Sequence, residues 1–275
     1  MAPENTLPAY QWALDQGCAV LETDVRLSRD NCLFMFHDET LNRTTDGHGR
    51  VADASSATLK NLNAAYRFCT PGEHIARAWQ TSCLTLEELF ASFPSTRINI
   101  DIKDNVDLAA NEVIRLIDQF DRSGLTTVGS FYTDVILHLR REAPHIRTAA
   151  LKEEVAKLYF GRFAGRFGPA GARKNASGNL DKQVHASDSA RRVWEKRERD
   201  KTTDSFEALQ IPMHWHGLRL ATPAFIRFGQ SLGYEMVFWT VNDTKTLERL
   251  LAMGVDGVVT DRTDIAASVF SRCQE

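Results

Sequence analysis

The chain has 275 residues, of which 43% are hydrophobic and 25% are charged, and its formal net charge is -3. This composition is that of a globular protein with ample material for a core, and it excludes disorder throughout. The small net charge indicates neither nucleic acid nor a membrane surface as an obligatory partner. Five widely spaced cysteines without a CxxC pair favour free thiols. Since no signal sequence and no integral membrane segment is visible, we expect a cytoplasmic protein.

Strand-like and helix-like segments alternate along most of the chain. In chain order, we predict helices over 4–17, 85–93, 106–120, 133–142, 223–233, 244–253 and 264–272, and strands over 18–25, 33–37, 97–103, 126–131, 146–151, 206–211, 235–241 and 257–260. Such alternation predicts a parallel sheet with helices outside. Together with the length it favours one α/β domain over 1–275, a TIM-type (β/α)8 barrel.

The segment 152–203 interrupts this alternation. It contains 13 lysines and arginines but only seven acidic residues, and it has few aliphatic side chains. We predict a basic, partly flexible insertion.

Carboxylates lie near the ends of two predicted strands. Glu22 and Asp24 are two residues apart, so they share one strand face, and Asp101 has the same relation to Asn99 and Lys103 on a later strand. Oxygen ligands of this kind suit one hard divalent cation, Mg²⁺ or Ca²⁺. The alternative for Glu22 and Asp24 is an ordinary solvated strand face.

Two further side chains are candidates for work on a charged substrate. Lys103 shares a face with Asp101 and could stabilise an anionic phosphate, or it could form only a salt bridge with Asp101. His37 ends the second strand and is placed to move protons near neutral pH, although a purely structural histidine is the alternative.

Several blocks, taken together, resemble the glycerophosphodiester phosphodiesterase family. The resemblance covers nearly the whole chain except 152–203. The matching blocks are Ala2-Pro-Glu-Asn-Thr6, Leu21-Glu-Thr-Asp-Val25, Phe36-His-Asp-Glu-Thr-Leu-Asn-Arg-Thr-Thr45, Asn99-Ile-Asp-Ile-Lys103, Ser130-Phe131, Trp239-Thr-Val-Asn242 and Gly254-Val-Asp-Gly-Val-Val-Thr-Asp261.

This resemblance implies hydrolysis of a small-molecule glycerophosphodiester to an alcohol and glycerol 3-phosphate, with a divalent cation. By motif, the metal ligands would be Glu22, Asp24 and Asp101, and His37 would be the acid–base residue. The substrate would be bound by Lys103 at the phosphate and flanked by Phe131 and Trp239. The alternative for both aromatics is packing within the protein. At Asp101 the family more often has glutamate.

The resemblance also implies a His-Arg-Gly block on a first strand ahead of Ala2. Residues 1–275 do not contain it. We therefore expect a barrel lacking its first strand, and a polypeptide with little or no phosphodiesterase activity. The two explanations are a shortened chain and a non-catalytic remnant that still binds metal or a phosphodiester. A different barrel enzyme acting on phosphate esters is a third interpretation.

Overall fold

A computed structural model describes residues 1–69, 80–161 and 206–272. The chain divides into two compact units, Met1–Leu151 and Lys152–Glu275. This division concerns compactness only, so one domain over residues 1–275 stays a prediction.

The first unit contains five strands and the helices that connect most of them. The helices are α1 (Leu7–Asp15), α2 (Ser56–Lys60), α3 (Leu86–Ser92), α4 (Asp107–Gln119) and α5 (Thr133–Glu142), and the strands are β1 (Val20–Leu27), β2 (Leu33–Met35), β3 (Arg97–Ile102), β4 (Thr126–Gly129) and β5 (Arg147–Ala149). Every strand and helix that was predicted before residue 152 is present, with ends shifted by a few residues.

The strands of this unit form a sheet in the order β5-β4-β3-β1-β2. The pairs β1–β3, β3–β4 and β4–β5 are parallel, as predicted. However, β2 runs antiparallel to β1, from Val25 opposite Met35 to Leu27 opposite Leu33. The reason is the short connection over 28–32, because a parallel crossover needs a dozen or more residues.

The two faces of β1 and β3 differ in polarity. Ile98, Ile100 and Ile102 are buried and pack in one core cluster with Leu21 and Val25 of β1 and with side chains of α4. The alternate positions on both strands carry Glu22, Asp24, Asn99 and Asp101, which must therefore face away from that core. The period-two pattern of the sequence is confirmed.

Local sequence signals account for several helix ends. Thr85 caps α3 by accepting a hydrogen bond from the Glu88 N–H, and Glu88 bonds back to complete a capping box. Thr222 caps the helix that begins at Pro223 in the second unit. Both caps use residue types that are favoured at helix starts.

The second unit contains a three-stranded parallel sheet, in the order β10-β9-β6, and a short hairpin, β7–β8. Its helices are α6 (Lys152–Gly161), α7 (Pro223–Ser231), α8 (Thr244–Ala252) and α9 (Thr263–Arg272), and its strands are β6 (Phe206–Pro212), β7 (His214–Trp215), β8 (Leu218–Arg219), β9 (Glu235–Trp239) and β10 (Gly257–Val258). The hairpin was not predicted.

The proposed insertion needs a correction at its beginning. Residues 152–161 form α6, with Val155, Leu158 and Tyr159 buried, so the regular structure extends past residue 152. The aliphatic and aromatic side chains of this short run are sufficient for one buried helix face. The remainder of the predicted insertion, 162–203, lies outside the described residues.

The described helices are short. The 13 residues of α4 make it the longest among them. None of the helices in the described ranges is long and apolar enough to cross a membrane.

Candidate functional site

Two carboxylates of the predicted site lie side by side on neighbouring strands. In the parallel register of β1 and β3, Asp24 is the partner of Asp101, and Glu22 is the partner of Asn99. Because the two strands are parallel and their side chains alternate with the same period, Asp24 and Asp101 share one face of the sheet. The sequence therefore brings together two of its three predicted ligands through strand register alone.

Lys103 joins these two carboxylates. Its Nζ lies 2.9 Å from Asp24 Oδ1 and 2.6 Å from Asp101 Oδ2. The three side chains are only 12–17% exposed. We call Asp24, Asp101 and Lys103 the carboxylate–lysine cluster. The salt bridge to Asp101 that the sequence left as an alternative for Lys103 is present.

The cluster holds its charges in a poorly hydrated setting. Burial raises the pKa of Asp101, an effect that Lys103 offsets only in part and that the charge of Asp24 increases. Burial alone would lower the pKa of Lys103, but Asp101 and Asp24 outweigh it and the net shift is upward. Lys103 is therefore held as a cation between two acidic groups.

The third predicted ligand, Glu22, is exposed on the same face of β1. In the arrangement of the described residues, no three His, Cys, Asp or Glu side chains are grouped closely enough to hold a metal ion. The chemistry of the donors nevertheless fits a hard cation, since they are carboxylates on adjacent strands. Any cation bound to Asp24 or Asp101 would compete with Lys103 for the same oxygens.

His37 belongs to a second group of charged side chains, which lies on loops. Its Nδ1 is 2.9 Å from Asp38 Oδ1. Arg43 Nε donates to Asp38 at 2.6 Å, and the two terminal nitrogens of Arg43 donate to both oxygens of Glu4 at 2.6 and 2.7 Å. We call His37, Asp38, Arg43 and Glu4 the histidine–carboxylate chain.

The charged partners within the histidine–carboxylate chain set the ionisation of Asp38 and the tautomer of His37. The hydrogen bond from Arg43 lowers the pKa of Asp38 to about 2, and the bond from His37 adds to the effect. An ionised Asp38 can only accept the hydrogen bond from His37 Nδ1. A neutral His37 ring therefore carries its proton on Nδ1. Nδ1 makes the only ring hydrogen bond of His37 among the described residues.

Tyr10 bonds to residues that are sequence neighbours of both groups. Its buried hydroxyl is 2.6 Å from Thr23 Oγ1, between Glu22 and Asp24 on β1, and donates to Asn5 Oδ1 at 2.9 Å, next to Glu4. Burial raises the pKa of Tyr10 well above its ordinary range, so the hydroxyl stays neutral. The resemblance did not assign a role to this tyrosine.

The predicted substrate-binding aromatics lie in different units. The Phe131 ring centroid is 5.4 Å from Lys103 Nζ, within the range of a cation–π contact, and 59% of Phe131 is exposed. The preceding residue, Ser130, donates its hydroxyl to the Ile102 carbonyl at 2.7 Å and so anchors the loop. Trp239 is the last residue of β9 in the second unit and is partly exposed.

Sequence reasoning missed two charged residues beside the site. Arg26 donates from Nε and Nη2 to the His37 carbonyl and from Nη1 to the Lys103 carbonyl. Its partner Asp104 accepts from Arg26 Nη1 at 2.9 Å. The available signal was the period of two, because Arg26 continues the face that carries Glu22 and Asp24. No local signal indicates the 39-residue separation between Glu4 and Arg43.

Comparison with known sequences gives a consistent relationship. The model of the Glycerophosphoryl diester phosphodiesterase family matches residues 1–265. The chain is similar to a glycerophosphodiester phosphodiesterase of Caldanaerobacter subterraneus subsp. tengcongensis, with 25% identity over 264 residues, covering 94% of this chain and 88% of the relative. A glycerophosphodiester phosphodiesterase of Bacillus altitudinis is 31% identical over 162 residues, covering 56% of this chain and 62% of the relative.

Solved structures support the same relationship for the fold. A glycerophosphodiester phosphodiesterase from Agrobacterium tumefaciens matches with a TM-score of 0.71 at 22% identity, covering 98% of this chain and 94% of the other. An Oleispira antarctica phosphodiesterase, solved in complex with the product sn-glycerol-3-phosphate, matches with a TM-score of 0.67 at 20% identity, covering 100% of this chain and 92% of the other. The predicted α/β fold class of TIM type is confirmed.

Proposed function

The chain belongs to the glycerophosphoryl diester phosphodiesterase family, a family of phosphoric diester hydrolases, and on that premise we propose that it binds and hydrolyses a small glycerophosphodiester. Water would attack the phosphorus, and the products would be an alcohol and glycerol 3-phosphate. The observation that carries the proposal is the carboxylate–lysine cluster on β1 and β3, within the residues that the family model matches.

Lys103 is the proposed contact for the phosphate. Its ammonium is held charged and only 13% exposed, so it offers a positive charge in a setting where electrostatic stabilisation is strong. Phe131 lies against this ammonium and would flank the organic part of the substrate. The exposure of Phe131 supports a role at the surface of a binding site, since a core aromatic would be covered.

His37 is the proposed acid–base residue. With Nδ1 bonded to Asp38, the ring exchanges its proton through Nε2, either towards the leaving alkoxide or from the attacking water. Asp38 fixes the tautomer, and Arg43 holds Asp38 in its ionised form. The exposure of the His37 side chain, 59%, is compatible with access to a bound substrate.

Glu22, Asp24 and Asp101 are the proposed ligands of one divalent cation, Mg²⁺ or Ca²⁺. The support is the donor chemistry together with the register that pairs Asp24 with Asp101. When bound, such a cation would neutralise charge on the phosphate and polarise its oxygens.

A second function stays open for the same cluster. Lys103 already bonds to oxygens of both Asp24 and Asp101, which a bound cation would have to share. The alternative is a protein that binds the cation or a phosphodiester without turning it over.

One experiment separates these functions. Glycerophosphocholine hydrolysis is measured with Mg²⁺ or Ca²⁺, and glycerol 3-phosphate binding is measured by calorimetry on the same preparation. Hydrolysis that falls about 10² to 10⁴-fold in His37→Ala supports the enzyme. Binding that is lost in Lys103→Met, without hydrolysis by the parent, supports the binding protein. A parent protein that neither hydrolyses glycerophosphocholine nor binds glycerol 3-phosphate would contradict both functions.

The cation site is tested by titration. We expect Glu22→Ala to weaken Mg²⁺ or Ca²⁺ affinity, because it removes one of three carboxylates. Glu87→Ala is the matched control, since Glu87 is an exposed acid in the first turn of α3. Equal cation affinity of Glu22→Ala and the parent would remove Glu22 from the ligand set.

A further inference from the structure

Arg26 is the one side chain, among the described residues, that hydrogen-bonds to the backbone of both His37 and Lys103. Its Nε and Nη2 donate to the His37 carbonyl at 3.1 and 3.0 Å. Its Nη1 donates to the Lys103 carbonyl at 3.1 Å. The two carbonyls belong to residues that lie 66 positions apart in sequence and are joined here through a single planar group.

The location of Arg26 on the sheet explains this reach. β1 lies between β2 and β3, and Arg26 is opposite Phe34 in the β1–β2 pairing. His37 follows the end of β2 by two residues, and Lys103 follows the end of β3 directly. Each backbone ladder continues by one bond beyond these ends, from the Phe36 N–H to the Asp24 carbonyl and from the Lys103 N–H to the Val25 carbonyl. The carbonyls of His37 and Lys103 bond instead to the side chain of Arg26 on the central strand.

Asp104 fixes the guanidinium itself. One of its oxygens accepts from Arg26 Nη1 at 2.9 Å, and the other accepts from the Leu27 N–H at 2.6 Å. The ion pair is mostly covered, with side-chain exposures of 15% for Arg26 and 20% for Asp104. A guanidinium with four of its five N–H groups engaged is a rigid connector, unlike the flexible ammonium of a lysine.

We infer that Arg26 is a positioning residue, which fixes His37 relative to Lys103. The inference rests on the proposed function, in which His37 moves a proton and Lys103 contacts the phosphate. Arg26 touches neither the substrate nor the reacting atoms in this role. It acts by holding the His37 carbonyl, and thereby the start of the loop that carries the ring.

The two ends of this connection differ in how else they are held. Lys103 is kept in place by Asp24 and Asp101, and its N–H bonds to the Val25 carbonyl at 3.1 Å. Among the described residues, the His37 carbonyl accepts only from Arg26. The His37 ring is tied only to Asp38, whose further link runs through the exposed Arg43 to Glu4. Loss of Arg26 should therefore release His37 and leave Lys103 where it is.

The test compares the parent with Arg26→Met and Arg26→Lys. Arg50→Met is the matched control, because it removes an exposed arginine that pairs with Glu39 at 2.6 Å on the same loop. Backbone NMR relaxation reads the order of the His37 and Lys103 amides directly. In Arg26→Met we expect the order parameter at His37 to fall from about 0.85 to below about 0.6, with Lys103 and the Arg50→Met control unchanged.

The kinetic readout separates positioning from general damage. We expect kcat for glycerophosphocholine to fall about 10- to 100-fold in Arg26→Met, because a displacement of about 1 Å has that effect on a catalytic group. The dissociation constant of glycerol 3-phosphate should stay within about threefold, because Lys103 keeps both of its partners. Arg26→Lys should lie between parent and Arg26→Met, since an ammonium lacks the planar fork needed to span both carbonyls.

If Arg26→Met fails to fold, the double variant Arg26→Met with Asp104→Asn removes the unpaired charge and keeps an acceptor for the Leu27 N–H. Unchanged order at His37 in a folded variant overturns the inference, as does an equal loss of kcat and product affinity. Absence of hydrolysis by the parent would overturn the proposed enzymatic function. The order parameters of His37 and Lys103 would still show whether Arg26 holds His37 in position relative to Lys103.

Discussion

The carboxylate–lysine cluster and the histidine–carboxylate chain use the same residue types in opposite settings. The cluster lies on two paired strands and at the end of one of them, with its side chains 12–17% exposed. Arg43 and Glu4 of the histidine–carboxylate chain lie on loops and are 49% and 47% exposed. Burial raises the pKa of Asp101 in the cluster, while Arg43 lowers the pKa of Asp38 in the chain. The charged groups of the cluster are held in fixed positions but have lost most of their contact with water. Those of the histidine–carboxylate chain remain hydrated.

This difference predicts how each group responds to the loss of its cation. Removing a buried cation leaves carboxylates that water solvates poorly, so the fold itself becomes less stable. Removing an exposed cation leaves carboxylates that water solvates well, so stability changes little. Changes in the histidine–carboxylate chain should then affect function by altering the orientation of His37. Changes in the carboxylate–lysine cluster should affect both function and stability.

The largest effect on stability is expected for Lys103→Met. The substitution leaves Asp24 and Asp101 adjacent and unpaired, which should cost about 3 kcal/mol in the free energy of unfolding. Denaturant unfolding measures this cost. Combining Lys103→Met with Asp101→Asn removes one of the two unpaired charges and should recover a large part of the lost stability. A cost below about 0.5 kcal/mol for Lys103→Met alone would contradict the difference drawn between the buried cluster and the exposed histidine–carboxylate chain.

An intermediate effect is expected for Tyr10→Phe, at a buried hydroxyl whose partners are sequence neighbours of both groups. The substitution removes a buried hydroxyl that is bonded to Thr23 and Asn5, and such a loss costs about 1 to 2 kcal/mol. Tyr132→Phe is the control, because that tyrosine is 40% exposed. Thermal unfolding of both variants provides the measurement. Equal midpoints would show that the Tyr10 hydroxyl stabilises the fold no more than the exposed hydroxyl of Tyr132.

A smaller effect on stability is expected for Arg43→Met. Glu4 and Asp38 remain hydrated without their partner, so the free energy of unfolding should fall by less than about 1 kcal/mol. Hydrolysis should fall about tenfold, because Asp38 loses the group that orients it against His37. Arg50→Met, which removes an ion pair that is exposed even further, should leave hydrolysis unchanged. A stability loss as large as that of Lys103→Met would remove the distinction between the two groups.

Much of the fold could be predicted because its signals are local. The alternation of Ile98, Ile100 and Ile102 with polar residues fixed the two faces of β3, and the capping box at Thr85 fixed the start of α3. The direction of β2 depended on a connection whose length is visible, yet the regular alternation elsewhere favoured a parallel strand. The hairpin β7–β8 has only two residues in each strand, which is too short for a periodic signal.

The candidate site was predictable only where strands carry it. Asp24, Asp101 and Lys103 follow from the period of two and from pairing between neighbouring strands. Contacts such as Arg43 with Glu4, or Arg26 with the Lys103 carbonyl, join loops and strand ends across 39 and 77 residues. Only the folded arrangement brings these groups together, because long flexible side chains have no preferred partner in sequence.

The smallest effect is a change in one titration, which distinguishes the loop setting from the strand setting most directly. In the parent, the pKa of Asp38 is lowered to about 2 by the hydrogen bond from Arg43. Since this native value lies below the unfolded value of about 3.9, Asp38 stabilises the fold above that pH, and the contribution is lost as the pH falls towards 2. In Arg43→Met, carboxyl ¹³C NMR should therefore place the pKa of Asp38 close to its unfolded value. Asp30 is an internal control, because its pKa is lowered to about 2 by Ser56 and Ser28, so it should titrate alike in both proteins. An unchanged Asp38 titration would mean that the loop, rather than Arg43, sets the charge beside His37.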